Sequence, residues 1–126
     1  MSEIRKTLSL RIGTKPPEDR EAEAAALIRQ AIDEGSCLRW TYNRVLMRAE
    51  PRILYRRNGG LYVDAVVIEK NGAPPAELKI GSFKLTGLGN PVPTGEPIAS
   101  GLAVDLADPR YAEGIVARGE SRVASA

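Results

Sequence analysis

The stretch from residue 50 to residue 68, EPRILYRRNGGLYVDAVVI, indicates the fold more directly than any other part of this 126-residue chain. Two runs rich in β-branched and aromatic residues flank Asn58-Gly59-Gly60, which readily adopts the positive φ angles of a tight turn. Pro51 cannot donate to a strand ladder, so it indicates an edge or a bend in the first run. The stretch therefore predicts an antiparallel hairpin with Arg56 and Arg57 immediately before its turn.

The segments on either side of the hairpin predict further short strands. Before it, residues 38–42 alternate apolar and polar side chains with the period of a half-buried strand, and Asn43-Arg44 indicates a turn. After it, two short strands are predicted near residues 77–80 and 82–88. The glycine- and proline-rich run 87–97 is predicted to end regular structure.

An amphipathic helix is predicted over residues 17–34. This run is rich in alanine and repeats apolar residues at three- and four-residue steps, which places them in one stripe. Pro16-Pro17 suits the first helical turn, and Gly35 is a natural stop. Ahead of the helix, residues 4–12 alternate in the manner of a strand.

These elements predict an α+β fold: one N-terminal helix packed on a small, strongly curved antiparallel sheet, or an SH3- or Sm-like barrel of about five strands. Closure removes exposed strand edges, which favours the barrel. Residues 1–100 are expected to form a single domain whose sheet strands, apart from the one at 4–12, lie within residues 37–88. Residues 101–126 are expected to form an extension with a short helix at 109–117 and a frayed tail.

The composition excludes several classes of function. The chain has no histidine and a single cysteine, Cys37. The usual zinc ligand sets, an internal disulfide and a Ser-His or Cys-His nucleophile are therefore unavailable. We expect a non-catalytic protein that needs no cofactor or metal. No apolar run approaches the roughly 20 residues of a membrane helix, so we expect a cytoplasmic protein with no membrane partner.

The net charge of +2 conceals a separation of charge along the chain. Acids are concentrated in the predicted helix, whereas residues 39–57 contain six arginines and one acid. Four of these arginines share one strand parity. On one continuous strand their side chains would emerge from the same face of the sheet; they are Arg44, Arg48, Arg52 and Arg56.

Arginines beside aromatic rings are the combination that binds phosphates and stacks on bases. We therefore predict a site for a nucleotide or single-stranded nucleic acid, with the candidate residues Arg44, Arg48, Arg52, Tyr55, Arg56, Arg57 and Tyr62. The alternative is a solvated, charged sheet face that discourages edge-to-edge pairing and forms ion pairs with the acidic helix. Trp40 and Tyr42 are predicted to belong to the core, and Cys37 to be a small buried apolar residue.

Three segments of the chain together resemble a known family. They read AIDEGSCLRWTYN (31–43), AEPRILYRRNGGLYVDAVV (49–67) and GSFKLTGL (81–88). Their order resembles the WYL domain, an Sm-like β-barrel module of bacterial transcription regulators and phage-defence proteins. In this resemblance Gly60-Leu61-Tyr62-Val63 corresponds to the Trp-Tyr-Leu signature, and Phe83-Lys84-Leu85 to the final segment of the domain.

The chain also departs from the WYL pattern. Leu61 and Val63 stand in place of the signature tryptophan and leucine, and Thr86-Gly87 stands where the family has Asp-Arg. The resemblance implies a regulatory or accessory module whose signature aromatics line a site for a nucleotide-like or nucleic-acid ligand. Since no winged helix-turn-helix precedes the domain, a stand-alone and divergent copy is expected.

Two other functions remain open at the level of sequence. One is a protein-interaction or self-assembly module that uses a sheet edge or the helix to bind a protein partner or a second copy of the chain. The other is a ribbon-helix-helix DNA binder, in which residues 5–11 would form a strand that reads the major groove. That motif requires a second helix directly after the first, and residues 38–42 are strand-like instead.

Overall fold

The computed structural model describes residues 16–119, apart from the side chain of Pro17. The helix α1 spans Pro17–Glu34, as the sequence predicts. Gly35 ends it in the left-handed conformation at φ 69°. The strand predicted at residues 4–12 and the tail from residue 120 lie outside the described residues.

Six strands form one antiparallel sheet against which α1 packs. Across the sheet the order is β4-β3-β2-β1-β5, and β6 pairs with β2. The bounds are Ser36–Tyr42 (β1), Val45–Arg57 (β2), Gly60–Lys70 (β3), Ile80–Lys84 (β4), Gly89–Pro97 (β5) and Ile115–Arg118 (β6).

The α+β fold with one helix on an antiparallel sheet is confirmed, but the sheet does not close into a barrel. β4 and β5 form its two edges instead. β5 was not predicted, because its sequence is rich in proline and glycine. Pro91, Pro93 and Pro97 are tolerated there because an edge strand needs hydrogen-bond donors on one side only.

A strand, β1, follows α1 directly. A ribbon-helix-helix fold requires a second helix at this position, so the described residues contradict that alternative. Both predicted tight turns are present: Asn43 and Arg44 join β1 to β2 with φ of 50° and 68°, and Asn58 and Gly59 join β2 to β3 with φ of 52° and 77°.

A β-bulge at Arg52 reverses the alternation of β2. Pro51 pairs with Ala65 and Ile53 with Asp64, so Arg52 is the extra residue of the longer strand. Ala49, before the bulge, and Leu54, after it, both belong to the main core, which also contains the helix residues. Because these two residues differ in parity, each side chain beyond the bulge lies on the opposite face from the one predicted.

The sheet thus has two distinct faces. The helix face carries Ala49, Leu54, Val63 and Ala65, which pack with Ile28 and the other buried residues of α1. The second face carries Tyr55, Tyr62 and Asp64, and the segment from Ile98 to Tyr111 covers part of it. The bulge decides which residues of β2 contribute to each face.

The covering segment differs from its prediction. Instead of a helix over 109–117, a single 3-10 turn spans Pro109–Tyr111 and strand β6 follows it. Asp108 accepts a hydrogen bond from the backbone N–H of Arg110 and so starts the turn. Gly114, with φ 133°, ends the helical conformation, and pairing with β2 extends the chain beyond it.

Candidate functional site

A buried carboxylate lies at the centre of the second face. Asp64 in β3 has no exposed surface. Its Oδ1 accepts hydrogen bonds from Tyr55 Oη at 2.7 Å and Ser82 Oγ at 2.6 Å. Its Oδ2 accepts from Tyr111 Oη at 2.6 Å and Arg110 Nη1 at 3.3 Å. We call these five residues the Asp64 cluster.

Four separate parts of the chain supply the Asp64 cluster. β2, β3 and β4 each contribute one residue, and the turn after Asp108 contributes Arg110 and Tyr111. Neighbouring strands bring Asp64 and Ser82 directly opposite each other in register. An unpaired carboxylate in the interior would cost several kcal/mol. The four donors therefore make this burial tolerable and fix the covering segment to the sheet.

The surroundings of the Asp64 cluster shift the pKa values of its tyrosines. Burial, together with the hydrogen bond to Asp64, raises the pKa of Tyr111 above its ordinary range. Burial also raises the pKa of Tyr55. Both hydroxyl groups accordingly remain protonated donors at neutral pH. The cluster needs these donors because Asp64 presents only acceptors when it is ionised.

Arg110 is held by two carboxylates. Burial disfavours its charged form, but the hydrogen bond to Asp108 and the charges of Asp108 and Asp64 outweigh that effect and raise its pKa. The backbone N–H of Arg110 is the first of the groups that lower the pKa of Asp108, and the charge of Arg57 contributes as well. Arg57 therefore lies within electrostatic range of this corner of the second face.

Tyr62 lies beside the Asp64 cluster and is half-buried. Its ring stacks on that of Tyr55, with centroids 5.9 Å apart and an interplanar angle of 27°. Tyr55 in turn meets Tyr111 edge to face at 4.7 Å. Lys84, which is exposed, is directly opposite Tyr62 in the pairing of β3 with β4. The hairpin end of the sheet thus presents an accessible aromatic ring, Tyr62, with Tyr55 fixed behind it and the cation Lys84 nearby.

Two of the predicted binding arginines are engaged in intramolecular contacts. Arg52 is buried, and its Nη2 donates to Glu50 Oε1 at 3.1 Å and to the carbonyl oxygen of Ser100 at 2.7 Å. Glu50, also buried, accepts from the backbone N–H of Ala99 at 2.8 Å. This pair fixes the start of the covering segment in the same way as Asp64 fixes its end.

Arg48 links β2 to β3, its neighbour in the sheet, and to β5, which lies beyond β1. Its guanidinium donates to Glu69 Oε2 at 2.9 Å and contacts Glu96 Oε1 at 3.1 Å. The hydrogen bond to Glu69 raises the pKa of Arg48 and lowers that of Glu69. Arg48 therefore acts as a cross-strand link at the end of the sheet away from Tyr62.

The remaining arginines are exposed but do not share one surface. Arg44 lies in the turn between β1 and β2, at the opposite end of β2 from Arg56 and Arg57. The bulge places Arg56 in phase with Leu54, toward the helix face, and Arg57 in phase with Tyr55, toward the second face. The prediction that four arginines emerge from one face is wrong. Tyr55, Tyr62 and Arg57 are the predicted site residues that come together.

Sequence reasoning missed Asp64, Ser82, Arg110 and Tyr111. Asp64 carried a usable signal, because it is the one acid among the apolar residues 61–68 and its parity matches that of Tyr62. Arg110 and Tyr111 carried none, because they contact Asp64 across 46 and 47 residues of sequence.

Other predictions concern the core and cofactors. Trp40 and Cys37 are buried as predicted, and burial raises the pKa of the Cys37 thiol. Within residues 16–119, no group of three or more Cys, Asp or Glu side chains is arranged to hold a metal ion. No helix in the same range is long and apolar enough to cross a membrane.

Comparisons with known proteins support the fold. No protein-family model matches the chain, and no curated protein sequence matches it significantly. Among solved structures, it is similar to proteasome accessory factor B/C (PafBC) of Arthrobacter aurescens, with a TM-score of 0.57 and 21% identity. The match covers 80% of this chain and 15% of the PafBC chain. The chain therefore shares its fold with a part of PafBC.

Proposed function

We propose that this chain is a non-catalytic regulatory module that binds a nucleotide or single-stranded nucleic acid at the hairpin end of the second face. The observation that carries the proposal is the half-buried Tyr62 ring, supported from behind by Tyr55 and flanked by Lys84. The fold similarity to part of PafBC and the WYL resemblance, in which Tyr62 is the signature tyrosine, support a regulatory role.

The immobile support favours stacking of a base on Tyr62. A base that stacks on an aromatic ring contributes about 1–3 kcal/mol, and this gain is reduced if the ring must first be ordered. Tyr62 already stacks on Tyr55, whose hydroxyl is held by Asp64. The ring is therefore ordered before any ligand arrives.

Two exposed cations are placed to receive phosphate groups. Lys84 is opposite Tyr62, and Arg57 lies on the same face, where its charge helps to lower the pKa of Asp108. Neither forms an ion pair among the described residues. Arg110 lies at the other side of Ser82, where Asp108 and Asp64 compensate its charge. Lys84 and Arg57 thus take the place of the arginine row predicted from sequence, because Arg48 and Arg52 of that row form structural contacts.

The test is fluorescence anisotropy of labelled ten-nucleotide poly-dT and of labelled ATP at 20 and 200 mM salt. We expect binding that weakens with salt, because phosphate contacts release counterions. Tyr62→Ala should weaken binding about tenfold through lost stacking, and Tyr62→Phe should restore it. Arg57→Gln should reduce the salt slope by about one.

Arg44→Gln is the matched control, because Arg44 is an exposed arginine at the far end of β2. It should leave affinity almost unchanged. Absence of binding at 20 mM salt, or equal losses in Arg44→Gln and Arg57→Gln, would contradict the proposal.

A protein-interaction or self-assembly role is the second candidate, and the contrast between the sheet edges favours it. β5 carries three prolines, whereas the edge strand β4 carries none and leaves its outer backbone groups able to pair with another strand. Light scattering at two protein concentrations tests this role. A mass that stays monomeric at both concentrations would contradict self-assembly.

A further inference from the structure

A groove of about 280 Å³ lies between β4 and the loop over residues 71–79. Its floor consists of Met47, Val67 and Phe83, which belong to the main core on the helix face and are each 7% exposed. No residue of α1 lines it. The groove is therefore an uncovered part of the core and lies on the opposite face of the sheet from Tyr62.

The loop that forms the outer wall of the groove is held in place. The Asn71 N–H donates to the Leu46 carbonyl oxygen at 2.7 Å, and the Leu46 N–H donates to Asn71 Oδ1 at 3.1 Å. Lys70 and Ala73 exchange two backbone hydrogen bonds. Pro74-Pro75 then restricts the backbone where Pro75 enters the wall. These hydrogen bonds anchor residues 70–73, where the wall begins, which favours a preformed site.

The rim of the groove has an excess of one positive charge. Lys70 and Lys79 line it together with one acid, Glu77. Neither lysine forms an ion pair with any described residue. Apolar side chains below and cationic groups above are the arrangement that orients an amphipathic anion, with the tail on the floor and the charged end at the rim. One uncompensated positive charge suits a ligand that carries a single negative charge.

The volume limits the size of the occupant. At about 280 Å³ the groove lies near the lower end of the range of roughly 300–1,000 Å³ for ligand pockets. It therefore suits a small ligand of roughly ten non-hydrogen atoms. A free aliphatic carboxylate with a chain of about eight carbons satisfies the size, the apolar floor and the single charge together.

We propose that the groove between β4 and the 71–79 loop binds a small aliphatic monocarboxylate, with its chain on Met47, Val67 and Phe83 and its carboxylate beside Lys70 and Lys79. The Phe83 ring lies over Gly81, where an added Cβ would come within 3.0 Å of it. The glycine thus lets this ring lie against β4 and shape the floor. The proposal is independent of the nucleotide site, because the two sites use opposite faces and share no residue.

The test is titration of the ¹⁵N-labelled chain with octanoate, octan-1-ol and octylammonium, followed by amide chemical shifts. Octanoate should give saturable shifts at Met47, Val67 and residues 79–83. Octan-1-ol should bind the same residues more weakly, because it has the chain without the charge. Octylammonium, which has the opposite charge, should bind weakest of the three.

Variants at the rim isolate the charge contribution. Lys70→Gln and Lys79→Gln should each weaken octanoate binding about threefold to fivefold, as expected for an exposed ion pair, and leave octan-1-ol binding unchanged. Lys84→Gln is the control, because Lys84 is an exposed lysine of β4 that does not line the groove. It should bind octanoate as the unmodified chain does.

The proposal is overturned if octanoate and octylammonium bind equally well, or if octanoate shifts appear at Tyr62 instead of the groove. It is also overturned if Lys84→Gln weakens binding as much as the two rim variants do. The three-ligand comparison uses the unmodified chain, so it decides the question even if a variant fails to fold.

Discussion

The two faces of the sheet are stabilised in different ways. On the helix face, Val63 and its neighbours pack against α1 in an apolar core. On the second face, Asp64, the next residue along β3, is equally inaccessible but depends on four hydrogen-bond donors. Apolar packing tolerates changes of shape that preserve volume. A buried carboxylate tolerates no loss of its partners, so the second face is specified by particular atoms rather than by hydrophobicity.

The largest effect should come from removal of the buried carboxylate. Asp64→Ala removes the shared acceptor of two tyrosine hydroxyls, the Ser82 hydroxyl and Arg110, and should lower the free energy of unfolding by about 4 kcal/mol. Val63→Ala, the adjacent change on the helix face, should cost about 2 kcal/mol through a small cavity. Urea denaturation of both variants measures the difference. A smaller loss in Asp64→Ala than in Val63→Ala would show that the Asp64 cluster contributes no stability beyond apolar burial.

A smaller effect is expected when one donor is removed from the Asp64 cluster. Tyr111→Phe keeps the ring contact with Tyr55 but loses a hydrogen bond to a charged group, which should cost about 2 kcal/mol at neutral pH. Thermal unfolding at pH 7 measures this loss. Tyr62→Phe is a suitable control, since no hydrogen bond of the Tyr62 hydroxyl belongs to the cluster.

The same substitution should change the response to alkaline pH. The pKa of Tyr111 is raised in the folded chain, so above about pH 10 the unfolded chain releases a proton that the folded chain retains. Stability contributed by this group is complete below pH 10 and is lost as the pH rises toward the folded pKa. Unfolding free energies at pH 9 and 11 should fall less steeply in Tyr111→Phe. An unchanged slope would contradict the shift.

The smallest effect should come from the exposed charge link on the second face. Arg48→Gln removes the contacts with Glu69 and Glu96 and should cost at most about 1 kcal/mol, because both carboxylates are well exposed. The loss should shrink in 1 M NaCl, which screens surface charges. Denaturation at low and high salt tests this. A loss as large as that of Asp64→Ala would show that surface and buried charges contribute alike.

Local sequence was sufficient to predict α1 and the two hairpin turns. The helix has a 3.6-residue apolar period, prolines at its start and Gly35 at its end, and all of these signals lie within the segment itself. Asn43-Arg44 and Asn58-Gly59 form the predicted turns, and all four residues have positive φ. The hairpin in residues 50–68 was predicted for the same reason, since its turn and both of its strands are contiguous.

The arginine row failed because one residue changed the parity of β2. Arg52 occupies a bulge, and the pattern of a single sequence does not show where a partner strand will have one residue fewer. The bulge separates Arg48 from Arg56 and makes Arg52 a buried partner of Glu50. Tyr55 and Tyr62 were still identified together, because they pair directly across the hairpin.

Local sequence determined the helix and the hairpins, because each depends on residues close together in the chain. Tertiary contacts alone brought β5 to the edge of the sheet, carried residues 98–118 across the second face and made Asp64 their anchor. These features depend on contacts between residues about 45 or more apart, such as those of Ala99 with Glu50 and Tyr111 with Asp64. The hydrogen-bond donors of a buried carboxylate come into position only after the strands have paired.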